Sequence, residues 1–259
     1  PEAMKMNNWS AIALSVMLAT GCSNGQEPPG AGESDDAEGE ITEFMAGDGQ
    51  SLLPERTGGR YFTPIRPATE ARIRRLKLPE GFSVNVWAED LGRIRMMAMG
   101  PDGTVYVTRP PTGEVLALAD RDGDGRAEQA RTAVRLGRVH GIHIHEGKTM
   151  YLATVGEVFV CDIDDGKVSE PRRIVTGMPT ARGHHNRTLA IGPDERLYIT
   201  VGSTCNCCWE RNAENATMLV ANADGTDRRI FARGLRNTIG FGWHPRTGEL
   251  WGMDHGTDW

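Results

Sequence analysis

The chain has 259 residues, 32 of them glycine, with 39% hydrophobic and 6% aromatic residues and a formal net charge of −6. That glycine load suits a turn-rich all-β protein. The acidic balance carries no basic stripe, which argues against nucleic acid as a partner.

The N-terminal region reads as a processing signal. Lys5 supplies a positive start, and residues 9–19 form an apolar run too short to span a bilayer as a mature helix. Ala19-Thr20-Gly21-Cys22 then resembles a bacterial lipobox, so residues 1–22 are expected to be a lipoprotein signal peptide with Cys22 as the lipidated residue. The other reading is an ordinary secretory signal in which Cys22 is incidental. Both predict export, to the periplasm or the cell envelope, with membrane contact only through a lipid anchor. Residues 23–76 read as an acidic Gly/Pro-rich linker with too few apolar residues to fold, followed by a short basic helix over 69–78. Leu78-Pro79-Glu80-Gly81-Phe82 is expected to lead into the first strand.

From there four segments share one design: 97–108, 142–153, 189–202 and 241–254. Each reads as a strand, a polar turn with Gly, Pro or Asp, and a second strand carrying Tyr or Trp. Their spacing, roughly 45 to 52 residues, is that of four-stranded propeller blades. Further strands are expected at 113–119, 156–162, 218–223 and 229–232. The prediction is an all-β chain, with residues 77–259 as a partial β-propeller of about three to four blades. Four repeats are too few for the usual closed ring, so the chain reads as part of a longer protein. Polar clusters adjoin the repeats: Gly183-His184-His185-Asn186-Arg187-Thr188, Gly234-Leu235-Arg236-Asn237 and Asp254-His255-Gly256-Thr257. Such clusters put titratable groups at the mouths of strands, where they can converge.

Of the five cysteines, Cys205, Cys207 and Cys208 cluster. In an oxidising compartment a Cys205–Cys208 disulfide is the default, with a metal site as the alternative. Cys207 pairs with Cys161 or stays free. Asp120, Asp122 and Asp124 alternate around glycines like a calcium loop, although Glu128 comes too early for the EF-hand spacing. A structural calcium and a metal-free acidic hairpin both fit. His143 and His145 share one strand face and, with His140, could ligate a metal or could simply line a solvated face.

Taken in order, Leu78-Pro79-Glu80-Gly81-Phe82, Val139-His140-Gly141, Gly183-His184 to Gly192-Pro193-Asp194, Gly234-Leu235-Arg236-Asn237 and Asp254-His255-Gly256 resemble the glucose/sorbosone dehydrogenase family. The resemblance covers roughly residues 77–259. It implies a six-bladed propeller that oxidises sugars with pyrroloquinoline quinone and calcium (Ca2+). His184 matches the catalytic histidine, a general base whose pKa lies near working pH. Its neighbour His185 is the competing assignment, and counting back from Gly192-Pro193-Asp194 favours His184. Arg236 and Asn237 match quinone contacts, where a guanidinium can stabilise developing negative charge. His140 and His255 match further residues of the cofactor pocket, and Gly256 and Thr257 match carbonyl ligands of the cofactor's calcium. Cations that the family supplies from later blades are absent from this chain.

The resulting expectation is an exported quinoprotein dehydrogenase that takes an aldose or sugar aldehyde and passes electrons to an acceptor in the envelope. Two rivals remain from the sequence. One is a lactonase-type propeller hydrolase, disfavoured because the channel candidates are His and Arg instead of metal-binding carboxylates. The other is a non-catalytic binding propeller.

Overall fold

The computed structural model describes residues 55–57, 60–62, 67–180 and 183–257. The expected signal peptide, Cys22 and most of the expected linker lie outside the described residues. The chain divides into two compact units, one of residues 25–89 and one holding residues 90–259.

In the smaller unit, β1 (Glu55–Thr57) and β2 (Arg60–Phe62) pair antiparallel with Thr57 facing Arg60. This pairing falls inside the stretch expected to be a tether. The expected helix over 69–78 shrinks to α1 (Glu70–Ile73), which buries no residue. Without an apolar face to dock, a helix this short gains little beyond the exposed Glu70–Arg74 pair at 3.1 Å. No strand forms at Leu78–Phe82. The chain turns there instead, with Gly81 at φ +82°.

The larger unit is built from antiparallel sheets whose strands mostly pair in sequence order. The first holds β3 (Met97–Met99), β4 (Val105–Arg109), β5 (Glu114–Leu118) and β6 (Arg131–Arg135). The second holds β7 (Gly141–His145), β8 (Thr149–Ala153) and β9 (Val158–Asp164), with β10 (Lys167–Val168) and β11 (Arg172–Val175) both pairing along β9. The third holds β12 (Leu189–Ile191), β13 (Arg196–Val201), β14 (Thr217–Asn222) and β15 (Arg229–Arg233). Then β16 (Thr238–Trp243) pairs with β17 (Leu250–Asp254).

Each sequence repeat is the first hairpin of one sheet. The third strands lie where the pattern placed them. The outer strands β6 and β11 went unread because their sequences, Arg-Thr-Ala-Val-Arg and Arg-Arg-Ile-Val, bury a single side chain each, Val134 and Val175. An edge strand with one buried residue leaves almost no period-2 signal.

The core lies between sheets. Met150 and Leu152 of β8 join the cluster that includes Tyr106, Val115 and Val134 of the first sheet. Their neighbours Tyr151 and Ala153 join the cluster that includes Leu189, Leu197 and Ile199 of the third sheet. Alternate residues of one strand therefore serve opposite neighbours, as the pleat requires. The same alternation recurs in β13, where Leu197 and Ile199 face the second sheet and Tyr198 packs with Phe241 and Trp243 of β16. Burying both faces of a middle strand is what stacked propeller sheets demand.

The Gly-Pro-Asp turns are packed, not merely tight. A Cβ on Gly192 would lie 2.7 Å from Asp194, 2.8 Å from Trp243 and 2.9 Å from Tyr198. Asp194 Oδ2 accepts the Tyr198 hydroxyl at 2.9 Å, and Trp243 meets the Tyr198 ring edge-on with centroids 5.1 Å apart. The turn thus locks the third sheet against β16.

Candidate active site

The polar clusters all sit at one end of the sheets, just before the first strand or just after the second. His140 precedes β7, His184 precedes β12, and Arg236 and Asn237 precede β16. Ser203 follows β13, and Asp254 and His255 close β17. Because first and second strands are antiparallel, the start of one and the end of the next share an edge.

Gly202 marks the junction. A Cβ there would lie 2.5 Å from both Cβ and the carbonyl oxygen of His184, and 3.1 Å from the Arg236 carbonyl. Only glycine lets the end of β13 pass between the two segments. The next residue joins them: Ser203 N donates to the Arg236 carbonyl at 2.8 Å, and His184 N donates to the Ser203 carbonyl at 3.1 Å.

The His184 ring is half-buried, and its Nδ1 lies 2.9 Å from Ser203 Oγ and 3.2 Å from the Ser203 carbonyl. Ser203 Oγ donates its own proton to the Cys205 carbonyl at 2.6 Å. Both neighbours of Nδ1 are therefore acceptors, so Nδ1 carries the proton and Nε2 keeps the lone pair. This is the tautomer a general base needs.

Arg236 is fixed from several sides. Its Nε donates to the Asn206 carbonyl at 2.9 Å, its Nη2 to Asn206 Oδ1 at 2.7 Å, and its Nη1 to the His255 carbonyl at 3.0 Å. The Asp254 carboxylate fixes the backbone beneath it. One oxygen accepts Asn237 N at 2.9 Å and the Thr238 hydroxyl at 2.7 Å, and the other accepts Arg236 N at 3.1 Å. A cavity of about 300 Å³ opens here, lined by Ser203, Arg236, Asp254, Gly256 and Thr257 together with the Cys207–Cys208 segment. A second cavity, of about 370 Å³, is lined by Pro110, Arg138, Val155, His185 and Asn186 among others.

The expected site residues divide accordingly. Arg236, Gly256 and Thr257 share the cavity wall, and His184 reaches it through Ser203. Asn237 and His255 support it from the backbone, since His255 N donates to the Asn237 carbonyl at 3.2 Å. His140 stands apart from both of these cavities. It is 2% exposed, its Nδ1 donates to the Arg187 carbonyl at 2.9 Å, its Nε2 has no hydrogen-bond partner among the described residues, and burial holds its pKa below the usual histidine value. His185 lines the other cavity, and its Nδ1 lies 3.1 Å from the Gly183 carbonyl of its own turn.

Arg187 is the residue that the sequence concealed most. It is 1% exposed, yet it has no acidic partner among the described residues. Its guanidinium instead donates to the carbonyls of Val155 at 3.1 Å, His184 at 3.1 Å and Pro179 at 2.5 Å, and burial brings its pKa down to about 10. It ties the His184 turn to the second sheet. Ser203, Asn206 and Arg187 all lie beside motifs the sequence exposed. Their roles depend on partners 8 to 32 residues away, which local spacing does not reveal.

Cys205 and Cys208 form the expected disulfide. Their sulfurs lie near Glu210, but bonded to each other they offer no thiolates to a metal. Cys161 is a free, buried thiol and Cys207 is itself disulfide-bonded, so Cys207 neither pairs with Cys161 nor stays free; its partner lies outside the described residues. Carboxylate oxygens of Asp120, Asp122 and Asp124 lie within 4.8 Å of one another. Two oxygens of Asp120 already accept Gly123 N at 2.8 Å and Gly125 N at 3.0 Å, so the acidic hairpin holds its shape through its own backbone. His143 and His145 do share a face, with ring centroids 6.3 Å apart, but they join no cluster of potential metal ligands among the described residues. His145 Nε2 instead meets Glu195 at 3.1 Å.

Stacked antiparallel sheets with their polar clusters on one edge define a β-propeller with its candidate site at the strand mouths. Residues 76–259 match the model of the TrAA12-like family, and the chain belongs to that family. Its fold is shared by the holo PQQ domain of pyranose dehydrogenase from Coprinopsis cinerea, at a TM-score of 0.62 and 21% identity, with 70% of this chain and 48% of that chain covered. It is shared also by the PQQ-bound aldose sugar dehydrogenase of Streptomyces coelicolor, at a TM-score of 0.55 and 17% identity, with 68% and 60% covered. The quinoprotein glucose dehydrogenase B of Acinetobacter calcoaceticus is 20% identical over 164 residues, 54% of this chain and 34% of that protein. The chain therefore spans between 34% and 60% of the length of these three proteins.

Proposed function

We propose that this chain is part of a sugar oxidoreductase that uses pyrroloquinoline quinone, with His184 as its general base. The observation that carries this reading is the locked tautomer of His184, whose Nδ1 faces only acceptors and whose Nε2 is left to accept a proton. Family membership and the fold shared with quinone-binding sugar dehydrogenases support the same reading.

The donor set fits an anionic quinone. Arg236 presents a fixed guanidinium at a cavity wall, and Gly256 and Thr257 on the same wall bring backbone that needs no particular side chain to offer carbonyls to calcium. When bound, pyrroloquinoline quinone would supply a two-electron acceptor and calcium a Lewis acid. The protein's own residues do the rest. His184 Nε2 takes the hydroxyl proton of the sugar, worth roughly 10²–10⁴ in rate for a positioned base. Ser203 keeps the ring from turning its protonated nitrogen toward the substrate. Arg236, its backbone and that of Asn237 held by Asp254, sets the positive charge at the cavity wall.

The substrate we infer is an aldose or related sugar aldehyde. The remaining parts of the reading rest on sequence: export, a lipid anchor at Cys22, an electron acceptor in the envelope, and a structural calcium at Asp120, Asp122 and Asp124. Among the described residues no helix is long and apolar enough to cross a membrane.

The test is reconstitution with quinone and calcium, using both this chain and a protein of its relatives' length that carries it. Dye reduction would be followed over a panel of aldoses. Activity that needs both additives and vanishes in His184→Ala supports the reading. A folded, full-length protein that binds no quinone overturns it and favours a binding propeller.

A further inference from the structure

We propose that Asn206 is the positioning residue for Arg236, and that the Cys205–Cys208 disulfide is what makes it one. Asn206 sits inside the four-residue loop that the disulfide closes. It grips Arg236 twice, through its backbone carbonyl at 2.9 Å and its side-chain oxygen at 2.7 Å. A carbonyl and a side chain of one residue can hold a guanidinium fork together only if the backbone between them is fixed. The loop supplies that fixation, with Cys207 inside it held by a disulfide of its own. Cys208 lines the same cavity as Arg236. Glu210 closes the loop's base, where its carboxylate accepts Thr204 N at 2.7 Å and the Thr204 hydroxyl at 2.9 Å. The Ser203 hydroxyl that acts as acceptor for His184 donates to the Cys205 carbonyl at 2.6 Å. The disulfide loop therefore reaches both proposed functional side chains, through its adjacent residues Cys205 and Asn206.

Cys208 is exposed and Cys205 half-buried, so a small dithiol can reach the bond. The exchange is balanced. The dithiol's two sulfurs join as they lose two electrons and two protons, and the S–S bond of Cys205–Cys208 opens to two thiols. With the loop open, Asn206 regains backbone freedom and its two-point hold on Arg236 loosens. The disulfide thus acts as a redox-sensitive clamp on the cationic wall of the cavity. The importance of this clamp for quinone binding rests on the function proposed above, but the clamp itself does not.

The experiment reads Arg236 directly. The parent chain, Cys205→Ser/Cys208→Ser and Asn206→Ala are treated with phenylglyoxal, and modification of each arginine is followed by peptide mass spectrometry. Arg228, paired with Glu214 at 3.0 Å, serves as the internal reference for an intact fold. In both variants Arg236 should react about tenfold faster than in the parent, the effect of losing one to two hydrogen bonds to a charged group, while Arg228 keeps its rate. Asn206→Ala retains the disulfide, so it decides the matter even if the double variant fails to fold. An Arg236 rate unchanged in Asn206→Ala, or unchanged in a folded double variant, overturns the proposal. Quinone titration of the same samples is read separately. A parent that binds no quinone removes the functional reading, and the Arg236 rates still decide the clamp.

Discussion

The two histidine–arginine pairs at the strand mouths use the same chemical parts to opposite ends. His140 and Arg187 are buried, and each hydrogen-bonds backbone carbonyls: His140 Nδ1 reaches the Arg187 carbonyl at 2.9 Å, and the Arg187 guanidinium reaches the carbonyl of His184 in its own turn and those of Val155 and Pro179 beyond it. His184 and Arg236 stand one sheet further along, also held through carbonyls, but half-buried and beside a cavity. The first pair is closed in by backbone, and the second keeps part of its surface open. What separates them is not residue type but whether the turn around them leaves space. Gly141 packs against the Arg187 carbonyl, where a Cβ would come within 2.7 Å, and neither His140 nor Arg187 lines either of the two cavities described above.

The contrast can be broken most decisively at Arg187. Arg187→Met should destabilise the fold by about 3 kcal/mol or more, because it leaves several buried carbonyls without donors. Arg236→Met should change the unfolding midpoint far less. Urea titrations of the two variants that coincide would erase the distinction between a structural and a site arginine.

Turnover should show the reverse order. In a reconstituted protein, His184→Ala should lower the rate by roughly 10²–10⁴ with little change in stability. His140→Ala should instead act mainly on stability, because it exposes the Arg187 carbonyl to a void. Measuring both quantities for both variants sharpens the comparison. A His140 variant that is stable yet dead would move it into the reaction.

A subtler lever is Ser203→Ala. It removes one of the two acceptors facing His184 Nδ1 and leaves the carbonyl at 3.2 Å. The rate should fall by about tenfold, the value of one hydrogen bond to a reacting group. Nitrogen chemical shifts of the ring should show the two neutral tautomers mixing, where the parent shows Nδ1–H alone.

The smallest effect concerns pH. Burial pushes the His143 pKa down from 6.5 to about 4. Below pH 6.5 the unfolded chain takes up a proton that folded His143 refuses, so stability falls as the pH drops from 6.5 towards 4 and is fully present above that window. His143→Gln should flatten the decline in that window. An unchanged slope would mean that the ring is protonated in place.

Much of this architecture could be read in the chain because its signals are local. The hairpins at 97–108, 142–153, 189–202 and 241–254 carry alternation and turn chemistry within a dozen residues, and they became the first two strands of each sheet. The edge strands β6 and β11 escaped because they bury one side chain each. In the site, His184 and Arg236 could be placed by their motifs. The meaning of Ser203 and Asn206 could not, because a hydrogen bond between sheets has no period in sequence. Arg187 misled for a related reason: an arginine in a polar loop suggests solvent, and nothing nearby announces the carbonyls of Val155 and Pro179 that receive it.

The alternation along β8 has one more outcome. Because Leu152 and Tyr151 belong to different seams, adjacent substitutions there report on different boundaries of the protein. The second and third sheets own no core of their own; each holds half of two. Stability in such an array is a sum of nearest-neighbour couplings, so damage at one seam should spread as a front from sheet to sheet instead of melting the molecule at once. The His184 turn meets two such seams, the one to the second sheet through Arg187 and the one to β16 through Ser203, so damage to either boundary should reach it.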